Sequence, residues 1–333
     1  MASLLIYHAN ILAPQALPDV SWVLAIDGKI DRIGSKNEPL PPAEKKINAE
    51  NGYLVPGFID IHVHGAMGFE TMDADPDGLV EMAKYYAKHG VTAFLPTTWA
   101  APMKRILPVF DAIQQAMQLD YKGAKILGAH LEGPFICAHK AGAQNPESIF
   151  PATPEIAQSI INQKIVKIIT MAPEIPENLA VIPAFAEAGI AVSAGHTQAT
   201  YEDMVIAVER GVKSVTHAFN AMVGIHHRNP GTAGAALTID ELYTEVIADN
   251  IHVHPAILKL IVNAKPEDRL LLITDAIRGT GLSDGIYPID DRNIIIENGI
   301  ARLESGNLAG STLTLDKALK NMVAAAGKLL ERI

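Results

Sequence analysis

Phe58-Ile59-Asp60-Ile61-His62-Val63-His64-Gly65 is the stretch that decides the fold. Successive side chains of a strand point to opposite faces. Asp60, His62 and His64 therefore share one face, and Ile59, Ile61 and Val63 the other. The apolar face should pack on helices. The polar face must then look into a barrel at the strand's C-terminal end, where catalytic residues of (β/α)8 barrels gather. Two imidazoles there need partners. A metal is an economical one, because neutral imidazole is a good ligand for zinc or iron. Taken alone, the pair is equally compatible with core histidines bonded to backbone.

Outward from this strand, apolar runs alternate with helical patterns. Strand-like segments fall at 54–64, 91–98, 125–132, 165–171, 189–195, 213–217, 243–248 and 269–275. Helical patterns fall at 77–89, 102–118, 154–163, 177–188, 200–210, 254–264 and 316–331. Such alternation is the signature of a parallel sheet. Eight units in about 270 residues predict an α/β protein of the (β/α)8 TIM-barrel type. An open doubly wound sheet is the rival, but no GxGxxG follows an early strand. Asn293–Glu297 and Ile300–Leu303, joined by Asn298-Gly299, predict a β-hairpin inserted near 285–305 at the barrel's mouth. Residues 1–52 read differently, as the short strands Leu4–Tyr7, Trp22–Ile26 and Lys29–Ile33 with a hairpin at Asp27-Gly28. The expected organisation is a small β domain over 1–52 and the barrel over 53–333.

The 333 residues are 49% hydrophobic and 19% charged, ample for a full core. The net charge of −10 argues against a general nucleic-acid or anionic-membrane binder. An anionic small substrate would need a local cationic patch. Cys137 is the one cysteine, so no internal disulfide can form. No run of 18 apolar residues free of charge occurs, and the first residues lack a basic leader pattern. The expected location is cytoplasmic.

Other strand ends add to the imidazole pair. His130-Leu131-Glu132-Gly133-Pro134 ends strand three, Gly195-His196-Thr197 ends strand five, and Thr216-His217-Ala218 ends strand six. One strand-end histidine is usually structural, and a lone glutamate beside a turn is usually a solvated cap. Four strands offering His or Glu at the same end of a closed barrel converge, which favours a metal centre. Glu132, His196 and His217 make a three-ligand set with an open position for water, as catalytic zinc sites require. Asp275 closes strand eight at the mouth. It reads either as a turn residue or as a general base beside a metal-bound water of lowered pKa. His226-His227-Arg228 reads as an exposed loop or as an anion clamp. His252 is a candidate substrate contact, and His254 faces solvent at a helix start. His8, His89 and His139 are structural.

Together PGFIDIHVHG, HLEGPF, SAGHT, THAFNAM, HHRNPG, TDAI and LAGSTLT, spread from Pro56 to Thr314, resemble the N-acetylglucosamine-6-phosphate deacetylases of the amidohydrolase superfamily. The resemblance implies a (β/α)8 barrel with a small β-sandwich built from both chain ends. It implies a divalent metal, zinc or iron, on Glu132, His196 and His217. A second ion would sit on His62 and His64, with Glu132 bridging. By similarity Asp275 is the catalytic acid/base. Asn220 and Ala221 would bind substrate, His252 would hold the sugar or polarise the acetyl carbonyl, and Leu308, Ala309 and Gly310 would line the pocket. Arg228 would hold the phosphate of a phosphorylated amino sugar, reaching the neighbouring site of a homodimer. The implied reaction is hydrolysis of N-acetylglucosamine 6-phosphate to glucosamine 6-phosphate and acetate by metal-bound hydroxide.

Two features depart from that pattern. Many members carry a substrate-contacting histidine where Gln144 stands, next to Ala143; Gln keeps hydrogen-bonding capacity without charge. Relatives also continue with strands beyond the last barrel helix, so the small β domain is expected to be incomplete and to expose an edge. Two rival functions remain at this point. Another amidohydrolase would act on a different amide, but many cyclic-amide hydrolases use a carboxylated lysine at the end of strand four, and Ile168-Ile169-Thr170-Met171-Ala172 has none there. A catalytically silent barrel would usually have lost ligands, whereas all five candidates are present.

Overall fold

The computed structural model describes residues 2–13, 19–290 and 292–327. The chain divides into two units, Met1–Gly57 and Phe58–Ile333. The boundary thus falls five residues after the expected one. Its cause is local: Tyr53–Leu54 pairs in parallel with Asn10–Ile11 and so stays with the small unit.

The small unit is a four-stranded sheet in the order Lys29–Ser35, Val20–Ile26, Ser3–Tyr7, Lys45–Asn48. Asp27 and Gly28, at φ 49° and 78°, make the tight turn between its first two strands. Turns with both central residues at positive φ match the right-handed twist of a hairpin. Leu5, Trp22 and Leu24 form its core.

The larger unit is the (β/α)8 barrel. Its strands are Phe58–Val63, Val91–Pro96, Lys125–Ile126 continuing as Ala129–Glu132, Val166–Met171, Ala191–Ala194, Val212–Val215, Tyr243–Ile247 and Leu270–Ile273. All neighbouring pairs are parallel. Strand three is broken at Gly128, whose φ is 145°. A Cβ there would meet the carbonyl of Ile165 at 2.5 Å, so only glycine fits the break. The ring closes where Asp275 N–H donates to the His62 carbonyl at 2.9 Å and His64 N–H to that of Ala276 at 2.7 Å. Strand interiors and helix faces share one continuous apolar core.

Among the described residues, eight α-helices follow the strands. Pro76–Ala87, Pro154–Gln163 and Tyr201–Arg210 begin at Asp75, Thr153 and Thr200, whose side chains accept backbone N–H groups of the first turn. That satisfies donors a helix start otherwise leaves unpaired. Gly231–Thr238 was not expected as a helix. Its Gly-Thr-Ala-Gly sequence has weak intrinsic preference and no polar face, yet all residues from Gly231 to Leu237 are buried. Packing, not propensity, makes it helical. The last helix runs Leu315–Ala326. The final part of its expected span, 328–331, lies outside the described residues.

The insertion after strand eight has three strands, not two: Gly285–Ile289, Arg292–Glu297 and Ile300–Leu303. Ile289, Ile294, Ile296 and Leu303 pack with Trp99, Ala143, Ile277 and Ala309 into a second core. The insertion therefore has its own apolar footing on the barrel and walls one side of the mouth. Among the described residues no helix is long and apolar enough to cross a membrane.

Candidate active site at the barrel mouth

Strand one turns Asp60, His62 and His64 inward, and all three are buried. Glu132 ends strand three and is 1% exposed. His196, His217 and Asp275 leave strands five, six and eight with φ of 49°, 31° and 52°. Left-handed backbone is costly for residues with a side chain, and such strain collects at functional sites. Here it swings three chemistry-bearing side chains over the ends of their strands.

Glu132 is the hub. Its Oε1 lies 3.0 Å from His217 Nε2, 3.3 Å from His196 Nε2 and 3.4 Å from His62 Nε2. Its Oε2 lies 3.3 Å from His64 Nε2. Asp275 Oδ1 is 3.1 Å from His64 Nε2 and 3.6 Å from His62 Nε2. The Nε2 atoms of His196 and His217 face each other at 3.2 Å.

The far sides of the rings explain what belongs in the middle. His64 Nδ1 donates to the Thr97 carbonyl at 3.2 Å, and His196 Nδ1 to the Lys140 carbonyl at 2.8 Å. A carbonyl only accepts, so these contacts assign the proton to Nδ1. His62 Nδ1 faces the buried carboxylate of Glu245 at 3.4 Å. In the neutral rings of His62, His64 and His196, the Nε2 lone pairs then point at carboxylate oxygens. Among the described residues, His62 Nε2 is buried without a hydrogen-bond partner. Lone pairs facing carboxylates call for a cation between them. Tying Nδ1 to a carbonyl or carboxylate is also how metal-binding histidines are oriented.

The electrostatics agree. Burial works against charge on His64, but hydrogen bonds to Asp275 and Glu132 outweigh it and push the ring up to about 9. His62 is likewise driven well above the ordinary imidazole value against its burial, chiefly by the Glu132 charge. Burial opposes ionisation of Glu132, yet the His62 charge and hydrogen bonds from His196 and His217 hold it well below the usual carboxylate range. Asp275 is also held low, by His64 against its burial. The pocket thus draws positive charge to its centre. His62, Glu132 and His217 bring ligand atoms within 4.8 Å of one another, as do His62, His64 and Asp275. These donor sets suit a divalent metal with nitrogen and oxygen preference.

A cavity of about 220 Å³ opens above the hub. His64, Glu132, His196, His217 and Asp275 form its floor, and Ala143, Asn220, Ala221, His252, Leu308 and Gly310 are in its walls. His252 is steered by Asp249, whose Oδ2 lies 2.7 Å from Nδ1. Three other expected substrate contacts lie elsewhere. Ala309 is fully buried in the second core, because its neighbours Leu308 and Gly310 take the cavity-facing positions. Gln144 has its amide engaged by Glu132 and the Ala100 backbone. Arg228 lies in an exposed loop with Nη1 2.7 Å from His227 Nε2, outside the cavity wall.

Several residues went unnoticed in the sequence. Trp99 stacks on the His64 ring at 3.9 Å and 15° and donates Nε1–H to buried Glu70 at 2.7 Å. Glu245 was discoverable as the only charge in an apolar strand, and Asp249 as an acid three residues before His252. Asn307 lines the cavity with no signal beyond its place in a turn. His130, by contrast, is spent within the barrel on the Ile61 carbonyl and Thr170 Oγ1, both at 2.8 Å. Burial and the nearby His62 charge push it down to about 3.

A TIM barrel with this constellation is a metal-dependent hydrolase in type. Residues 53–330 match the model of the amidohydrolase family, and the chain belongs to that family. More particularly, it is 38% identical over 303 residues to the N-acetylgalactosamine-6-phosphate deacetylase of Escherichia coli O157:H7, spanning 90% of this chain and 78% of that one. It is 37% identical over 326 residues to the N-acetylglucosamine-6-phosphate deacetylase of Bacillus subtilis (strain 168), spanning 96% and 82%. Its fold matches the crystal structure of N-acetylglucosamine-6-phosphate deacetylase from Pasteurella multocida with a TM-score of 0.92 at 29% identity, covering 99% of this chain and 86% of that one.

Proposed function

We propose that the protein hydrolyses the N-acetyl group of N-acetylglucosamine 6-phosphate, giving acetate and glucosamine 6-phosphate. The observation that carries this is the convergence of four imidazole Nε2 atoms and two carboxylates at one hub, with His64, His196, His217 and both carboxylates on the floor of one cavity and His62 buried beneath it. Relatives 37–38% identical to the protein over 90% or more of this chain are named as deacetylases of acetylamino-sugar phosphates.

Glu132, His196 and His217 would hold one divalent ion, zinc or iron, and His62 and His64 a second with Glu132 shared. Bound there, such an ion supplies Lewis acidity, which acidifies water and polarises a carbonyl. Asp275 is the acid/base. Its carboxylate is kept ionised by His64, so it can accept a proton from the attacking water. As the C–N bond breaks, Asp275 returns that proton to the departing amine and is regenerated. His252, whose Nδ1–H donates to Asp249, stands in the cavity wall, where Nε2 of the neutral ring would accept from a sugar hydroxyl and the protonated ring would donate to the acetyl oxygen. Asn220, Ala221, Ala143, Leu308 and Gly310 shape the sugar pocket. The phosphate would be held by Arg228 of a second copy in a homodimer, which fits that side chain's position outside its own cavity. The expected setting is the cytoplasm.

The galactosamine-named relative favours a second reading in which the 4-epimer is the better substrate. Steady-state kcat/KM on the two epimeric 6-phosphates decides. A clear preference for the glucosamine series supports the proposal, and a clear preference for the galactosamine series replaces it.

A further inference from the structure

We infer that Gln144 is a positioning residue that holds the hub carboxylate, Glu132, in place from behind the metal site. This rests on Glu132 being a ligand, as proposed above.

Gln144 is 1% exposed. The Ala100 backbone N–H donates to its Oε1 at 2.6 Å. A backbone N–H can only donate, so the amide oxygen is assigned to that side and Nε2 must face Glu132. There it donates to Oε2 at 2.6 Å. A donor at that distance on an ionised acceptor is a strong, charge-assisted contact. It occupies one oxygen of Glu132 and leaves Oε1 aimed at the Nε2 atoms of His62, His196 and His217. With its oxygen and one N–H so committed inside the protein, the amide is not arranged as a sugar contact.

The same amide joins two loops that orient the other candidate ligands. Ala100 ends the segment Thr97–Ala100. In it the Thr97 carbonyl accepts from His64 Nδ1, Thr98 Oγ1 accepts the Glu132 backbone N–H at 3.3 Å, and Trp99 stacks on His64. Gln144 belongs to the loop after strand three, whose Lys140 carbonyl accepts from His196 Nδ1 and whose Cys137 N–H donates to the His196 carbonyl at 2.8 Å. Gln144 therefore ties the frame of His64 to the frame of His196 through the carboxylate between them. Residues that orient ligands in this way commonly contribute 10- to 100-fold in metal affinity.

Q144E is isosteric but would set a second carboxylate against Glu132 Oε2. Q144N is one methylene too short to touch both Ala100 and Glu132. The test uses the full chain stripped of metal, with thermal unfolding to confirm folding, and zinc affinity measured by competition against a chromogenic chelator. Zinc binding weakened about 10- to 100-fold in either folded variant supports the inference. KM at saturating zinc should stay within about twofold of the parent, because no ground-state sugar contact is lost. Unchanged zinc affinity in both variants, or in Q144N if Q144E does not fold, overturns it. So does a rise in KM without a change in zinc affinity, the pattern of a substrate contact. The zinc measurement needs no turnover, so it stands whether or not the protein proves to be a deacetylase.

Discussion

The backbone N–H of Asp275 donates to the carbonyl of His62 at 2.9 Å, across the seam where strand eight meets strand one. This bond fixes the proposed acid/base next to the imidazole pair, and it also closes the barrel. The carboxylate then needs only its own left-handed turn to reach His64 Nε2 at 3.1 Å. Fold closure and catalytic geometry share the same few bonds.

Asp275→Asn should lower kcat by about 100- to 10,000-fold, the usual worth of a positioned acid/base. Metal content per chain should be retained, because Glu132 and the four imidazoles remain. Elemental analysis beside acetate assays checks both. Near-normal turnover would remove Asp275 from that role.

Glu245→Leu should weaken the ion on His62 and His64 by about tenfold or more, since His62 Nδ1 loses its buried carboxylate partner. The ion on His196 and His217 should be spared, because Lys140 orients His196 independently. Metal stoichiometry against free zinc concentration would show one site shifted and one unchanged. Equal loss at both would show that the two positions are not separately supported.

Asp249→Asn tests the support of His252. Burial raises the Asp249 carboxyl, but the His252 hydrogen bond outweighs it and the group sits below its ordinary value. An acid with a depressed folded pKa stabilises the fold above its unfolded value of 3.8, and that stability is lost as pH falls through the lower folded value. The substitution should therefore cost about 1.5–3 kcal/mol at pH 7, the worth of hydrogen bonds to a charged group. The deficit should shrink only below about pH 4. Urea midpoints from pH 7 to 3 give the curve; a deficit that grows on acidification would contradict the sign.

Arg228→Ala should raise KM for the phosphorylated sugar and leave the unphosphorylated sugar unaffected. If Arg228 acts on the neighbouring site, mixing Arg228→Ala with Asp275→Asn subunits should restore activity at substrate concentrations well below the raised KM. Random reassortment of a homodimer makes half the dimers mixed, each with one complete site, or about a quarter of the parent rate. No recovery after subunit exchange would place Arg228 in its own site or outside catalysis.

Much of the barrel was legible because strand and helix periods differ and because period two puts His62 and His64 on one face. The convergence of Glu132, His196 and His217 followed from strand ends meeting in a closed ring. Helix Gly231–Thr238 was not legible, since its packing overrides its composition. The third strand of the insertion was missed as well, because Gly285–Ile289 carries a proline and weak alternation. Side-chain direction was the main loss. Motif position placed Gln144 and Ala309 beside the substrate, whereas tertiary contacts turn Gln144 toward Glu132 and bury Ala309. The supports Glu245, Asp249 and Trp99 lie far in sequence from what they hold, or carry no motif of their own.

The measurement that tests the central claim most directly is acetate release from N-acetylglucosamine 6-phosphate, with the unphosphorylated sugar alongside, after loading zinc, iron or manganese in turn. Rapid release from the phosphorylated sugar in a metal-loaded protein, little from the unphosphorylated one and none from the metal-stripped protein is the predicted result. A folded, metal-loaded protein that releases no acetate from the phosphorylated sugar with any of the three metals would contradict it.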